Sequence, residues 1–337
     1  MSRKSHGLKL SGFSVSGLLI FSAMFFVGSV YGQGEVSPVQ PPPVAAVLAD
    51  PGATGAVQMP TAPMVKRGTL DKIREYGAVY VGHRESSSPF SFLLGEDVAG
   101  YSWDLCGHIV EAIKLKLGNP ALKAIPVPVT SASRLLMLMN GTIDLECGST
   151  TNTKIRQQSV AFGVSTFVAA IKAVVRKDSG ITDFQGLNGK MIVVTSGTTT
   201  ERSVKTTLAQ RNVTARFVTG RDHGDSFNMF ESGVADSFVL DDALLSAFVV
   251  QSLNKEKYTI LEDNFGLDPY GIGLRRNDPE FKKLVDDTLI ATIQSGELEK
   301  LYNKWFMSPI PPKGINLEMP MNEVFKTLLQ NPNDKGN

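Results

Sequence analysis

Two stretches, FVAAIKAVVR at 167–176 and YGIGLRR at 270–276, decide how this chain is organised. The first is apolar and rich in β-branched residues, the second is broken by glycines, and neither has helical spacing, so both read as extended. They lie roughly 100 residues apart and flank a block of strand–helix units. If both cross between lobes, the block from about Ile171 to Pro269 is an inserted second lobe. The first lobe is then made from both ends of the chain, and two crossings form a hinge that can close on a ligand. Two domains in series are the alternative arrangement.

Working outward, short apolar runs alternate with amphipathic segments. Ala78–Val81, Ile125–Val129, Ile143–Glu146, Met191–Thr195, Ala215–Val218 and Ser237–Leu240 read as strands. Ser102–Leu117, Glu201–Arg211, Ser226–Ser232 and Asp242–Gln251 read as helices between them. This rhythm predicts α/β lobes with largely parallel strands. Phe281, Leu284, Val285, Leu289 and Ile293 share one helical face, and Asp278-Pro279 supplies a cap-then-proline start. A shorter helix, Glu297–Phe306, stops before Pro309, Pro311 and Pro312.

The amino-terminal end is different. Arg3, Lys4 and Lys9 precede an apolar run from about Phe13 to Val30, and small residues follow, which is the pattern of a cleaved secretory signal peptide over 1–32. A retained membrane anchor is the rival reading, weakened by Gly17, Ser22, Gly28 and Ser29 within the run. Residues 33–65 are rich in proline, alanine and glycine and show no period, as expected of a flexible leader. The lobes are therefore expected at 66–170 plus 270–337 and at 171–269. Across the 337 residues, 42% are hydrophobic and the formal net charge is +1, so no overall basic field points to a nucleic-acid partner. The two cysteines, Cys106 and Cys147, are either a disulfide or a pair of buried thiols.

The strand ends carry the chemistry, because ligands of open α/β sheets bind beyond the carboxyl ends of the strands. Arg84 follows the first strand and is suited to a carboxylate, with Phe90 as a possible pocket wall. Ser131 and Arg134 follow the second, with Ser131 able to cap the next helix and Arg134 about one turn along it. Ser149 and Thr151 follow the third, with Arg156 just beyond. Thr199 lies in the hydroxyl-rich turn TSGTTTE at 195–201. His223 precedes a helix, and Asp241 ends a strand. Any of these alone is explained equally well as a surface charge or a helix cap. Together they suit a zwitterion bearing a second acid: bidentate arginines for carboxylates, hydroxyls beside them and an aspartate for the ammonium. No HExxH or CxxC motif occurs, and no cofactor is expected.

The segments VGHRESSSPFSF at 81–92, NGTIDLECGSTTNTKIRQ at 140–157, VVTSGTTTE at 193–201, DHGDSF at 222–227, DDALL at 241–245 and KWFMSPIPPKGINL at 304–317 resemble the periplasmic glutamate/aspartate-binding proteins of bacterial ABC importers. The resemblance spans about Gly68 to Asn331. It implies a two-lobed flytrap with a double-stranded hinge, a monomer located in the periplasm, and delivery of glutamate or aspartate to a membrane ABC permease. It implies Arg156 as the fork for the ligand α-carboxylate, with Thr151 and Thr199 beside it. Asp241 would accept the ammonium, assisted near Ser149. Arg84, Ser131, Arg134 and His223 would hold the side-chain carboxylate. The hinge run YGIG lacks a cysteine expected in some relatives, and Cys106 stands where a small polar residue is commoner. Two alternatives remain beside carriage: a sensor handing its closed form to a receptor, and an enzyme using Cys147, Glu146 and His223.

Overall fold

The computed structural model describes residues 67–337; the expected signal peptide and proline-rich leader lie outside them. Two lobes are each built on a mixed sheet. In the first, the strand order is Lys123–Pro128, Ala78–His83, Leu145–Glu146, Gly273–Arg275, Val160–Phe162. In the second it is Arg216–Gly220, Met191–Thr195, Ser237–Asp241, Phe167–Arg176, Tyr258–Ile260. The parallel expectation holds for the first three strands of each order. It fails for Gly273–Arg275 and Phe167–Arg176, which run antiparallel to their neighbours. These are the segments by which the chain enters one lobe and returns to the other, so their direction is opposite to the strands they join.

The crossing is a two-stranded ribbon. Residues Phe167–Ala170 pair antiparallel with Leu267–Tyr270, with Asp268 opposite Ala169 and Tyr270 opposite Phe167. The second crossing segment thus begins at Leu267, three residues earlier than its glycines suggest, because Leu267-Asp268-Pro269 is already extended. An aromatic cluster grips the ribbon's first-lobe end. Phe90, Phe306 and Tyr270 lie with ring centroids 4.8, 5.1 and 5.7 Å from Phe167. Phe90 is therefore a core residue under the hinge, packed also against Tyr101 and Tyr270. The carboxyl-terminal helix Glu323–Gln330, which the sequence reading did not foresee, adds Phe325 to this cluster, and its cap Asn322 donates to the Val168 carbonyl at 2.8 Å.

Local signals explain the element ends that place the site. Gly77 closes the helix Thr69–Tyr76 with φ +62 and releases the chain into the buried strand Ala78–His83. The helix Tyr101–Leu117 buries Tyr101, Leu105, Cys106, Ile109, Val110 and Ile113, a stripe at helical spacing. Cys106 on that helix is bonded to Cys147 beyond Glu146, with Cα atoms 6.2 Å apart, so the pair is a disulfide. Three short strands, Ser86–Ser87, Ser91–Leu94 and Asp97–Ala99, form a small sheet that had no clear period in the sequence.

Two helix starts differ from expectation. The helix after the second strand is only Arg134–Met139, so Arg134 is its first residue and Ser131 lies outside it. Thr130 accepts from the Ser133 amide at 3.1 Å, which does locally what Ser131 was expected to do and leaves Ser131 free for the cleft. The helix predicted from Ser226 begins at His223, because Asp222 caps it by accepting from the Asp225 amide at 2.9 Å.

Asp278 caps the helix Pro279–Gln294 as predicted, accepting from the Phe281 amide at 3.2 Å. Its other oxygen accepts from the Thr69 amide at 2.6 Å, so it also holds the start of Thr69–Tyr76. Burial alone would raise the Asp278 pKa, but the hydrogen bonds from Thr69, Phe281 and Arg275 outweigh it and hold the carboxyl below its ordinary value. Asp278→Ala is expected to lower unfolding free energy by about 1–2 kcal/mol at neutral pH. The depressed pKa means that this stability is present above about pH 4 and is lost as pH falls through the folded value. Urea titrations of parent and variant at pH 7 and pH 3 check this: the gap should narrow at the lower pH.

Candidate functional site

The first lobe contributes its strand ends. Arg84 follows Ala78–His83 and is 1% exposed; Arg134 is 2% exposed. Arg134 Nη1 donates to the Ser149 carbonyl at 3.1 Å and to Thr150 Oγ1, which in turn donates to Glu146. Glu146 is fully buried with an oxygen 3.9 Å from Arg134. Gly148 allows this crowding, since a Cβ there would lie 2.5 Å from the Glu146 carboxylate and 2.7 Å from Arg84 Cγ. Arg156 begins a short 3₁₀ turn, and its Nη1 donates to the Thr151 carbonyl at 2.8 Å.

The second lobe faces these groups. Arg156 Nη2 donates across the cleft to the Gly197 carbonyl at 3.2 Å. Gly197 has φ +76, and a Cβ on it would sit 2.6 Å from Ala132 Cα in the opposite lobe, so only glycine permits this approach. Thr199, at the start of helix Thr200–Gln210, makes no capping bond; its hydroxyl is 3.1 Å from that of Thr151. His223 turns Nδ1 to Thr195 Oγ1 at 3.0 Å. Asp241 ends its strand without capping the helix Asp242–Gln251, and its Oδ2 accepts from the Tyr270 hydroxyl at 2.6 Å. Arg84, Ser131, Arg134, Ser149, Thr151, Arg156, Thr199, His223 and Asp241 thus gather at one interface between the lobes, all but Thr199 buried.

Sequence reasoning missed Asp268 as a site residue and treated Tyr270 only as hinge. Asp268 Oδ2 accepts from Thr151 Oγ1 at 2.8 Å and Thr199 Oγ1 at 2.7 Å. The signal was present: in a strand, residues two apart share a face, so Asp268 and Tyr270 project together. An acid within an otherwise apolar hinge segment was the anomaly to follow.

The site has an excess of unsatisfied donors. Both terminal nitrogens of Arg84, Nε of Arg134, the hydroxyls of Ser131 and Ser149, and Oδ1 of Asp241 are buried without a protein hydrogen-bond partner among the described residues. Burial, then the Arg134 charge, lowers the Arg84 pKa to about 9 and that of Arg156 to about 10. Both guanidinium groups still carry their charge at neutral pH. Burial, then Arg84 and Arg134, hold His223 well below its ordinary value. Burial, then Asp268, push Asp241 up. Buried charges and polar groups in this condition are stabilised by an oppositely charged partner that replaces lost water. The arrangement suits a small ligand with anionic groups at the arginines and a cationic group at Asp241. Among the described residues there is no cluster of three or more His, Cys, Asp or Glu able to hold a metal ion. Cys147 has its sulfur in the disulfide, which removes the nucleophile an enzyme reading required.

Two lobes on a paired hinge, enclosing unsatisfied charged groups at their interface, define a ligand-binding protein of the flytrap class. The chain belongs to the bacterial extracellular solute-binding proteins, family 3, which it matches over residues 79–308. It is 42% identical over 294 residues to the glutamate/aspartate import solute-binding protein of Escherichia coli strain K12, covering 87% of this chain and 97% of that one. It is 43% identical over 270 residues to the L-glutamate/L-aspartate-binding protein of Pseudomonas aeruginosa, covering 80% of this chain and 89% of that one. Among solved structures it is similar to an ancestral arginine-binding protein bound to arginine, with TM-score 0.61 and 27% identity over 68% of this chain and 98% of that one. An ancestral amino acid-binding protein that is a precursor of cyclohexadienyl dehydratase matches with TM-score 0.61 and 28% identity, over 70% of this chain and 99% of that one.

The position of His223 has a pH consequence. Its depressed pKa means the unfolded chain takes up a proton that the folded protein refuses, so a stability penalty builds as pH falls below about 6.5. With the lobes together as described here, the His223 imidazole is expected to titrate below its ordinary range, seen as the midpoint of its NMR ring-proton shift. A midpoint at or above 6.5 in the closed protein would show that the ring is not buried beside Arg84 and Arg134.

Proposed function

We propose that this protein captures glutamate or aspartate outside the cytoplasm and delivers it to an ABC permease. The observation that carries this reading is the set of buried, unpartnered donors on Arg84, Arg134, Ser131 and Ser149 in the same interface as Arg156 and Asp241. Arg156 takes the α-carboxylate, with Thr151 and Thr199 beside it. Asp241, held by Tyr270, takes the ammonium with help near Ser149. Arg84, Arg134, Ser131 and His223 take the distal carboxylate. A dicarboxylic amino acid supplies an anion to the arginine groups and a cation to the aspartate, whereas a neutral amino acid leaves the terminal nitrogens of Arg84 and Nε of Arg134 unpartnered. The names borne by the Escherichia coli and Pseudomonas aeruginosa relatives support the same ligand class and, for the first, import.

The lobes in this reading are 66–170 plus 270–337 and 171–269, moving about the ribbon of Phe167–Ala170 and Leu267–Tyr270. Ligand first meets Arg156 on the first lobe, and the second lobe then brings Asp241 and His223. Closure is favoured only to the extent that the ligand binds the closed form more tightly than the open one. The permease recognises the closed shape. The basic, apolar amino-terminal pattern over 1–32 supports export to the periplasm, and no helix among the described residues is long and apolar enough to cross a membrane.

Calorimetry of refolded, ligand-stripped protein against the common amino acids tests the reading. Saturable binding of glutamate or aspartate, with unchanged ligand recovered, is expected, and the two should differ by no more than about 1–3 kcal/mol because they differ by one methylene. Arg156→Ala should weaken every ligand by at least about 100-fold, since it strands a buried carboxylate. Arg134→Ala should weaken glutamate at least about tenfold more than glutamine. Parent-like binding of glutamate by both variants would refute this site.

A further inference from the structure

We propose that Asp268 is a positioning residue that clasps the two lobes shut by holding the hydroxyls of Thr151 and Thr199 on a single carboxylate oxygen. Asp268 is 2% exposed, and its Oδ2 lies 2.8 Å from Thr151 Oγ1 and 2.7 Å from Thr199 Oγ1. The two hydroxyl oxygens are 3.1 Å apart. Its Oδ1 accepts from the Asn337 side-chain amide at 3.2 Å, so the carboxylate is satisfied on both oxygens.

The two threonines come from opposite sides of the cleft. Thr151 is tied by backbone to the first-lobe end of the hinge: it bridges to Tyr270, Asn152 N donates to the Pro269 carbonyl at 2.7 Å, and Gly271 N donates to the Thr150 carbonyl at 3.1 Å. Thr199 precedes the helix Thr200–Gln210 of the second lobe. Two hydroxyls bound to one oxygen atom cannot be more than about 6 Å apart, because each bond is limited to about 3 Å. Any opening that carries Thr199 further than this from Thr151 must break one of the two bonds and exchange it for water. Whichever side the hinge strand follows, Asp268 holds both hydroxyls only when the lobes are together.

The same geometry sets the direction of the hydroxyls. Two protons are available, and a carboxylate is the stronger acceptor, so both O–H groups point to Asp268 rather than to each other. With their protons on Asp268 the hydroxyls have none for the α-carboxylate, which is left to the Arg156 guanidinium; Arg156 also donates to the backbone carbonyls of Thr151 and Gly197 on either side. Asp268 thus acts through Thr151 and Thr199 and touches no proposed ligand group itself. Its contribution is to the open–closed equilibrium, so it should alter affinity for every ligand by a common factor. This direction of effect rests on the solute-capture reading above.

The test uses full-length mature protein with spin labels at Lys116→Cys and Leu253→Cys, exposed sites on the first and second lobes. In ligand-free protein, Asp268→Asn should shift the interlobe distance distribution toward the longer, open population. Thr199→Val should do the same, and the double variant should add little to either, because each breaks the tie between Asp268 and Thr199. Glutamate and aspartate should each lose about tenfold in affinity by the same ratio, through faster dissociation, with Asp268→Glu recovering part of the loss. An unchanged distance distribution in both single variants overturns the clasp. So does a change in the glutamate-to-aspartate ratio with the distances unmoved, which would make Asp268 a contact to the ligand. Should Asp268→Asn fail to fold, the Thr199→Val distances decide alone. Protein that opens as expected yet binds neither amino acid would refute solute capture while sparing the clasp.

Discussion

Burying Arg84, Arg134 and Arg156 within one interface is the constraint around which the molecule is arranged. Guanidinium groups removed from water need partners, and the protein supplies only some of them: Glu146 and Thr150 for Arg134, and the Thr151 and Gly197 carbonyls for Arg156. Arg84 keeps its terminal nitrogens unpartnered. Burial, and then the neighbouring Arg134 charge, lower the pKa of Arg84 and that of Arg156. A protein selected for stability alone would fill such a site with apolar side chains. Retaining the charges biases the site toward an anionic guest of matching shape.

The hinge makes this constraint compatible with motion. The aromatic cluster of Phe90, Phe167, Tyr270, Tyr302 and Phe306 anchors the ribbon at its first-lobe end, while the second-lobe sheet is continuous with Phe167–Arg176. The lobes are thus joined through a short two-stranded ladder. Tyr270 joins the two functions, since its ring packs in the cluster and its hydroxyl orients Asp241 in the other lobe. The disulfide between Cys106 and Cys147 fixes the helix Tyr101–Leu117 to the start of the loop that carries Ser149 and Thr151. A loop-closing link across 41 residues contributes about 3–4 kcal/mol on the chain-entropy view, which steadies the first-lobe half of the interface.

Close approach between lobes is allowed by residues that have no charge at all. Gly197 stands where any Cβ would collide with Ala132 of the opposite lobe, and within the first lobe Gly148 stands where one would collide with Glu146 or Arg84. They explain why charged groups from separate loops reach the same small volume, and why the hydroxyl-rich turns carry glycine between their polar residues.

Much of the fold was legible because its signals are local. Apolar runs bounded by glycine, the Asp278-Pro279 start and the helical stripe of Tyr101–Leu117 depend on neighbours within a turn or two of the chain. The candidate ligand residues were legible for the same reason, as polar clusters at strand ends, together with their likeness to a known family. What sequence alone determined was therefore the class of fold and the kinds of charge on offer. Tertiary structure decided the rest. It turned Phe90 from a pocket wall into core, moved the helix starts at Arg134 and His223, joined Cys106 to Cys147, and brought Asp268 between Thr151 and Thr199. Each of these depends on contacts between residues far apart in the chain, whose distances are set by how whole elements pack and not by the order in which they occur.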